Sequence, residues 1–358
     1  MGIKFDKKEL EVVGKVNEAF PHAPQVVKYN TPISMRENYL KMVNKNEKPL
    51  WIPAHQECLY LGPNIFPDIV ARIEAGAWSA EPLDKNLPGG KDMFGLEWVY
   101  VKQVNGSMPK PGVITVPDWE NWQDYITFPD PKTWDWEQSA KVNAAYTDQG
   151  QANCIGIHNG FLERLTDLST MADACIALVD EDVQPSIHKF FERLSDLYVE
   201  MIDLSAKYFH IDGVWFNDDW GTQLAPIVSP DTTREMILPY LKKVIDATHR
   251  NGLFFDFHSC GKNETLVPIM IEAGVDIWRG QSVNDKEMLF DKYGDQIVLG
   301  IEATKLPRDC TDLKAIEKDC QAFVDKYAKS GHVEFVNTGV PAGTREFIYE
   351  MSRDVLSD

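Results

Sequence analysis

Residues 254–262 read Phe-Phe-Asp-Phe-His-Ser-Cys-Gly-Lys. His258 and Cys260 stand one residue apart at the end of a mostly apolar run. On a strand, positions i and i+2 face the same side. Neutral imidazole and thiolate are both zinc ligands, so the pair could reach one ion. Two ligands do not make a site, and a buried His beside a small apolar Cys is the bland alternative. Other apolar runs also end in polar side chains. PLWIPA is followed by His55, Gln56, Glu57 and Cys58. NCIGIH ends in His158, and GVWFND runs into Asn217, Asp218, Asp219 and, further on, Gln223. Arg279 follows DIW, and Glu302 ends QIVLGIE. His55, His158, Asp218 and Asp219 are candidate general acids or bases. Asp218 and Asp219 are adjacent and cannot share a strand face. One of them suits a helix cap and the other a site.

The elements that must position these groups alternate. Strand candidates begin near 51, 95, 153, 213, 254, 276, 296 and 333, with helical stretches between most of them. Unalternating apolar strands separated by helices imply a parallel sheet covered on its outer face. Eight such units predict an α/β fold, a (β/α)8 TIM barrel, with the chemistry at the C-terminal strand ends. No glycine-rich phosphate loop follows PLWIPA, which argues against an open dinucleotide-binding sheet. Residues 1–34 read as an N-terminal helix and arm, and 35–358 as one barrel domain with long loop insertions. The stretch 81–136 is rich in Gly, Pro and Trp and reads as strands and loops. Its Trp98, Trp119, Trp122, Trp134 and Trp136 suit loop anchoring better than a pocket wall.

Composition narrows the function. The 358 residues carry a formal net charge of −19. Phosphate would be repelled, so nucleic acid and anionic membrane surfaces are poor partners. No apolar stretch of about 18 residues suggests a membrane span. The six cysteines are scattered and form no CxxC pair, which fits a reducing cytoplasm. A homo-oligomer is left open.

The strings FNDDWGTQ (216–223), SP (229–230), LPYLK (238–242), HRNG (249–252), HSCG (258–261) and EAGVD (272–276) together resemble the uroporphyrinogen decarboxylase superfamily. The likeness is nearer to its corrinoid-dependent methyltransferases, including methylcobamide:coenzyme M methyltransferases. RENY (36–39), FGLEW (94–98), GSMPKPG (106–112) and FPD (128–130) are similar to the O-demethylase type of anaerobic metabolism. The resemblance spans roughly residues 35 to 350 and implies the same barrel. It also implies methyl transfer from a small methoxylated aromatic, or a related methyl donor, to the Co(I) corrinoid of a partner protein, with Zn2+ as Lewis acid. A decarboxylase of the parent type and a barrel that only binds its ligand are the alternatives. Where the decarboxylases carry substrate-holding arginines, this chain reads Ala54-His55-Gln56-Glu57-Cys58. The family's zinc ligands would be His258 and Cys260 plus a distant Cys after the last strand. That Cys is not matched here, where the segment reads Val336-Asn337-Thr338-Gly339-Val340-Pro341. Glu302 is the favoured third ligand, with Glu57 and Cys58 behind it. Asp218, Asp219, His55 and His158 are the expected acid–base groups, and Glu57, Asn217 and Gln223 the expected substrate contacts.

Overall fold

β-Branched and aromatic residues crowd the runs that become strands, and glycines or capped helices interrupt them. A computed structural model describes residues 4–17, 25–71, 89–101, 103, 106–337 and 339–356. Its strands in chain order are β1 (Val12–Asn17), β2 (Gln25–Tyr29), β3 (Cys58–Leu61), β4 (Trp98–Val101), β5 (Gly106–Pro109), β6 (Ala152–Ile157), β7 (Gly213–Asn217), β8 (Phe254–Ser259), β9 (Ile277–Gly280), β10 (Val298–Glu302) and β11 (Val333–Val336). Seven of them form one curled parallel sheet in the order β11-β10-β9-β8-β7-β6-β3, with helices around it. The last strand returns to the chain just ahead of the first. Ala54 bridges Phe335, and the Phe335 N–H donates to the Pro53 carbonyl at 3.0 Å. This is a TIM-barrel-like α/β fold.

Three expectations are corrected. The run at 51 is not a ladder strand of its own but the approach to β3, broken by a 3-10 turn at His55–Glu57. The candidate near 95 becomes an antiparallel hairpin, β4 with β5, outside the barrel. Its Gly- and Pro-rich flanks favour a short hairpin over a buried crossover unit. The N-terminal helix shrinks to one 3-10 turn at Lys7–Leu10, and β1–β2 form a second hairpin. VVGKVN carries three β-branched valines and a glycine, a composition that favours a strand over a helix. Among the described residues no helix is long and apolar enough to cross a membrane.

Period-2 alternation sorts the strand residues into two layers. Outward residues such as Ile155, Phe216, Phe255, Phe257, Leu299 and Phe335 join the helices in one large core. Inward residues Cys58, Tyr60, Cys154, Trp215, Phe254, Ile277 and Val298 pack together inside the barrel. The loop tryptophans anchor loops. Trp119 and Trp122 pack on Phe190, and Trp134 and Trp136 pack on Phe66.

Charge is buried in the inward layer. The Arg279 guanidinium donates to both Glu334 oxygens at 2.6 and 2.8 Å and to the Tyr39 hydroxyl at 2.6 Å. It also pairs with Asp256 and lies 4.9 Å from the Tyr60 ring centroid. Burial would raise Glu334, but the Arg279 charge beside it holds its carboxyl down at about 2. Burial pushes Asp256 up to about 7, with Arg279 opposing and Glu334 adding to the rise.

Candidate metal centre at the barrel mouth

The alternation continues past the end of β7 and separates the two adjacent aspartates. Trp215 faces inward and Phe216 outward, so Asp218 points out and Asp219 in. The Asp218 carboxylate accepts from the backbone N–H groups of Phe161, Leu162 and Glu163 at 2.9, 3.2 and 2.9 Å, and from the Trp220 indole at 2.8 Å. These are the orphan donors at the start of the helix Phe161–Leu168. Gly160 makes room for the contact, because a Cβ there would lie 2.5 Å from the Asp218 Cβ. Burial raises the Asp218 carboxyl to about 6, against these hydrogen bonds. Its oxygens are committed to the helix start and the Trp220 indole, so Asp218 serves as a helix cap and not as the expected acid–base group.

Asp219 turns to β8. Ligand atoms of Asp219, His258 and Cys260 all lie within 4.8 Å of one another. His258 Nε2 is 3.4 Å from Cys260 Sγ, and the Cys260 N–H donates to Asp219 Oδ1 at 2.7 Å. Burial holds the His258 imidazole below its ordinary range; Asp219 opposes this, while the charges of Arg279 and His55 add to it. A neutral imidazole is the ligating form. The trio offers one oxygen, one nitrogen and one sulfur.

A hydrogen-bonded shelf fixes the turn that carries Cys260. Asn263 Nδ2 donates to the Ser259 hydroxyl at 2.9 Å and to the Cys260 carbonyl at 2.7 Å. The Gly261 N–H donates to Gln281 Oε1 at 2.9 Å, and Asn284 Nδ2 to the Gly261 carbonyl at 2.9 Å. The Gly221 N–H donates to the Cys260 carbonyl at 3.1 Å, which docks the Asp219 loop on the same turn. Gly261 has φ +85°, and a Cβ there would sit 2.1 Å from the Gly221 carbonyl carbon. Gly261→Ala is therefore expected to push the two loops apart. It should cost more than about 1 kcal/mol of stability, since Ala is strained at positive φ, and it should lower zinc affinity. Denaturant midpoints and zinc titration check both.

The remaining candidates divide. Glu302 faces inward on β10, but its carboxylate lies 3.5 Å from the buried Lys286 ammonium and lines a lateral cavity of about 980 Å³. It does not join the donor group, and Asp219 stands where Glu302 was expected. Glu57 is buried, accepts from the Trp51 indole at 3.0 and 3.1 Å, and is pushed up to about 7 by burial. It fastens the turn before β3 and does not face the mouth. Cys58 is likewise buried, 3.3 Å from Cys154 Sγ. Gln223 lies exposed on the loop beyond Asp219. His158 and Asn217 are buried and paired, Nδ1 to Nδ2, at 3.1 Å. The Trp215 ring lies between His158 and His258, with centroids 6.0 and 6.4 Å away, and 4.6 Å from Tyr60. His55 stacks on Tyr60 at 5.1 Å. Ring contacts thus link His55, Tyr60, Trp215, His158 and His258 in one aromatic chain. Sequence reading missed Trp215 and the Arg279–Asp256–Glu334 charge cluster beneath it. Inward-facing Trp and charged residues at alternate positions of otherwise apolar strands were the available signal.

No protein-family model and no curated protein matches the chain. Among solved structures, a methyltransferase from Methanosarcina mazei is similar over 91% of this chain and 98% of its own, with a TM-score of 0.58 and 13% identity. A D-psicose 3-epimerase from Clostridium cellulolyticum H10 matches 62% of this chain and 80% of its own, with a TM-score of 0.36 and 8% identity. A sugar phosphate isomerase/epimerase from Parabacteroides distasonis matches 65% and 80%, with a TM-score of 0.33 and 11% identity. The first of these likenesses shows that this chain and the Methanosarcina protein share a fold.

Proposed function

We propose that this chain is a methyltransferase that takes the methyl group of a methoxylated aromatic, or of a related small methyl donor, for the Co(I) corrinoid of a partner protein. The observation that carries the reading is the convergence of Asp219, His258 and Cys260 at the barrel mouth. The Methanosarcina neighbour, a methyltransferase, agrees with it. Oxygen, nitrogen and sulfur donors on three protein side chains suit zinc, and a three-ligand set leaves a position open for substrate. Zinc bound there would supply Lewis acidity toward the ether oxygen. A reduced corrinoid would supply the strong nucleophile that no side chain here provides.

The chain's own residues do the rest. The Cys260 N–H holds Asp219 in place at 2.7 Å. Desolvation keeps His258 in its neutral form. The arginine inside the barrel is committed to Glu334 and Asp256, so it does not offer itself to substrate carboxylates. This supports an uncharged or singly charged donor over a tetra-acid porphyrinogen. The test is a screen of methyl ethers, methanol and methylamines with Co(I) cobalamin as acceptor, followed by the absorbance change. Turnover of uroporphyrinogen without any methyl transfer would overturn the proposal.

A further inference from the structure

Of the four acid–base candidates at the mouth, two are spoken for. Asp218 caps a helix, and Asp219 belongs to the donor trio. His158 lies behind Trp215 with Asn217 on its Nδ1. His55 is placed differently. It sits at the seam where the last strand meets the chain ahead of the first, next to the Ala54–Phe335 bridge. Its ring is stacked on Tyr60 with 17° between planes, and its side chain is 17% exposed. Nδ1 lies 3.9 Å from Glu334 Oε2. Glu334 itself is fixed by the Arg279 fork and the Tyr39 hydroxyl, which donates to it at 2.8 Å. A carboxylate behind one ring nitrogen orients an imidazole and stabilises its protonated form. Tyr60 lies 4.6 Å from Trp215 by ring centroids, and Trp215 lies 6.4 Å from the His258 ring, so His55 and His258 border one aromatic pair.

Resting on the methyl-ether reading above, we infer that His55 is the proton donor to the departing phenol oxygen, and that Glu334 is its positioning residue, anchored by Arg279. The ether C–O bond breaks and its electron pair stays on oxygen. The methyl carbon accepts an electron pair from the reduced corrinoid acceptor. The His55 proton passes to the oxygen, leaving a neutral imidazole and an uncharged phenol, and solvent restores the proton. His55 thereby shares with the metal centre the charge that develops on one atom.

The test compares wild type and His55→Gln on two ethers, 2-methoxyphenol and 2-methoxy-5-nitrophenol, with Co(I) cobalamin as acceptor. The nitro group lies para to the ether oxygen and stabilises the phenolate without a proton. The variant is expected to lose about 100-fold or more in kcat on the first ether, the usual scale for a general acid, and less than about 10-fold on the second. Zinc content and melting temperature should match wild type. Equal losses on both ethers, or no loss on either, overturn the role of His55 while leaving the methyltransferase reading in place. Wild type that demethylates neither ether but uses another donor removes the aryl oxygen and this inference with it. Wild type inactive on every donor overturns both.

Discussion

Cys260→Ala is expected to strip zinc from the protein and to cost on the order of 10²-fold or more in methyl transfer, the scale of several kcal/mol of Lewis-acid stabilisation. Two reasons make the effect large. The thiolate is the soft ligand of the trio, and without it Asp219 and His258 fall short of the three protein ligands a catalytic zinc needs. The side chain also contributes little to folding. Cys260 is only partly buried, lies beyond the end of β8 and belongs to neither barrel core. Its backbone N–H and carbonyl, which hold Asp219 and Gly221, are untouched by the substitution. Metal analysis, donor turnover and thermal unfolding should therefore separate cleanly, with the first two lost and the third near wild type. Full activity in the variant would make the His-x-Cys pair structural.

The largest stability effect is expected inside the barrel. Arg279→Leu should cost about 3–5 kcal/mol, the scale for breaking a buried ion pair by removing one partner. Glu334 and Asp256 would be left facing each other without their cation. Adding Glu334→Leu to Arg279→Leu should recover part of the loss, because one of the two uncompensated carboxylates disappears. The pH dependence has a defined sign. Glu334 is lowered from 4.5 to about 2, so its ion pair contributes stability above about 4.5 that is lost as pH falls toward 2. Asp256 is raised from 3.8 to about 7, so its contribution is full below 3.8 and is lost as pH rises through 7. Wild type should then lose stability as pH rises from about 4 to 7 and level off above that, and Asp256→Asn should flatten that slope. Urea unfolding at pH 5, 7 and 9 measures both effects, and an unchanged slope would show that Asp256 is ionised throughout.

Local patterns made much of this molecule legible. The parallel strands from β6 onward were readable because each is an apolar run followed by a helix. The closeness of His258 and Cys260 was readable because the two stand one residue apart where β8 ends. The third donor was not, since it depends on two loops meeting at Gly221 and Gly261, a contact that spacing does not encode. The choice between Asp218 and Asp219 was half legible. Adjacency required that they diverge, but the direction followed only once Trp215 was known to face inward. Glu57 misled because a carboxylate at a strand end looks like a site residue, while Trp51, six positions earlier, encloses it. The candidate near 95 misled because a hairpin strand and a barrel strand share composition and differ in pairing.

The central claim is that Asp219, His258 and Cys260 together hold zinc. Zinc-edge X-ray absorption on the zinc-loaded protein tests it most directly. The expected first shell has one sulfur at about 2.3 Å and nitrogen and oxygen neighbours at about 2.0–2.2 Å, retained in Glu302→Gln and lost in Asp219→Asn. A shell with two sulfurs, a shell with none, or the same spectrum from Asp219→Asn would contradict it.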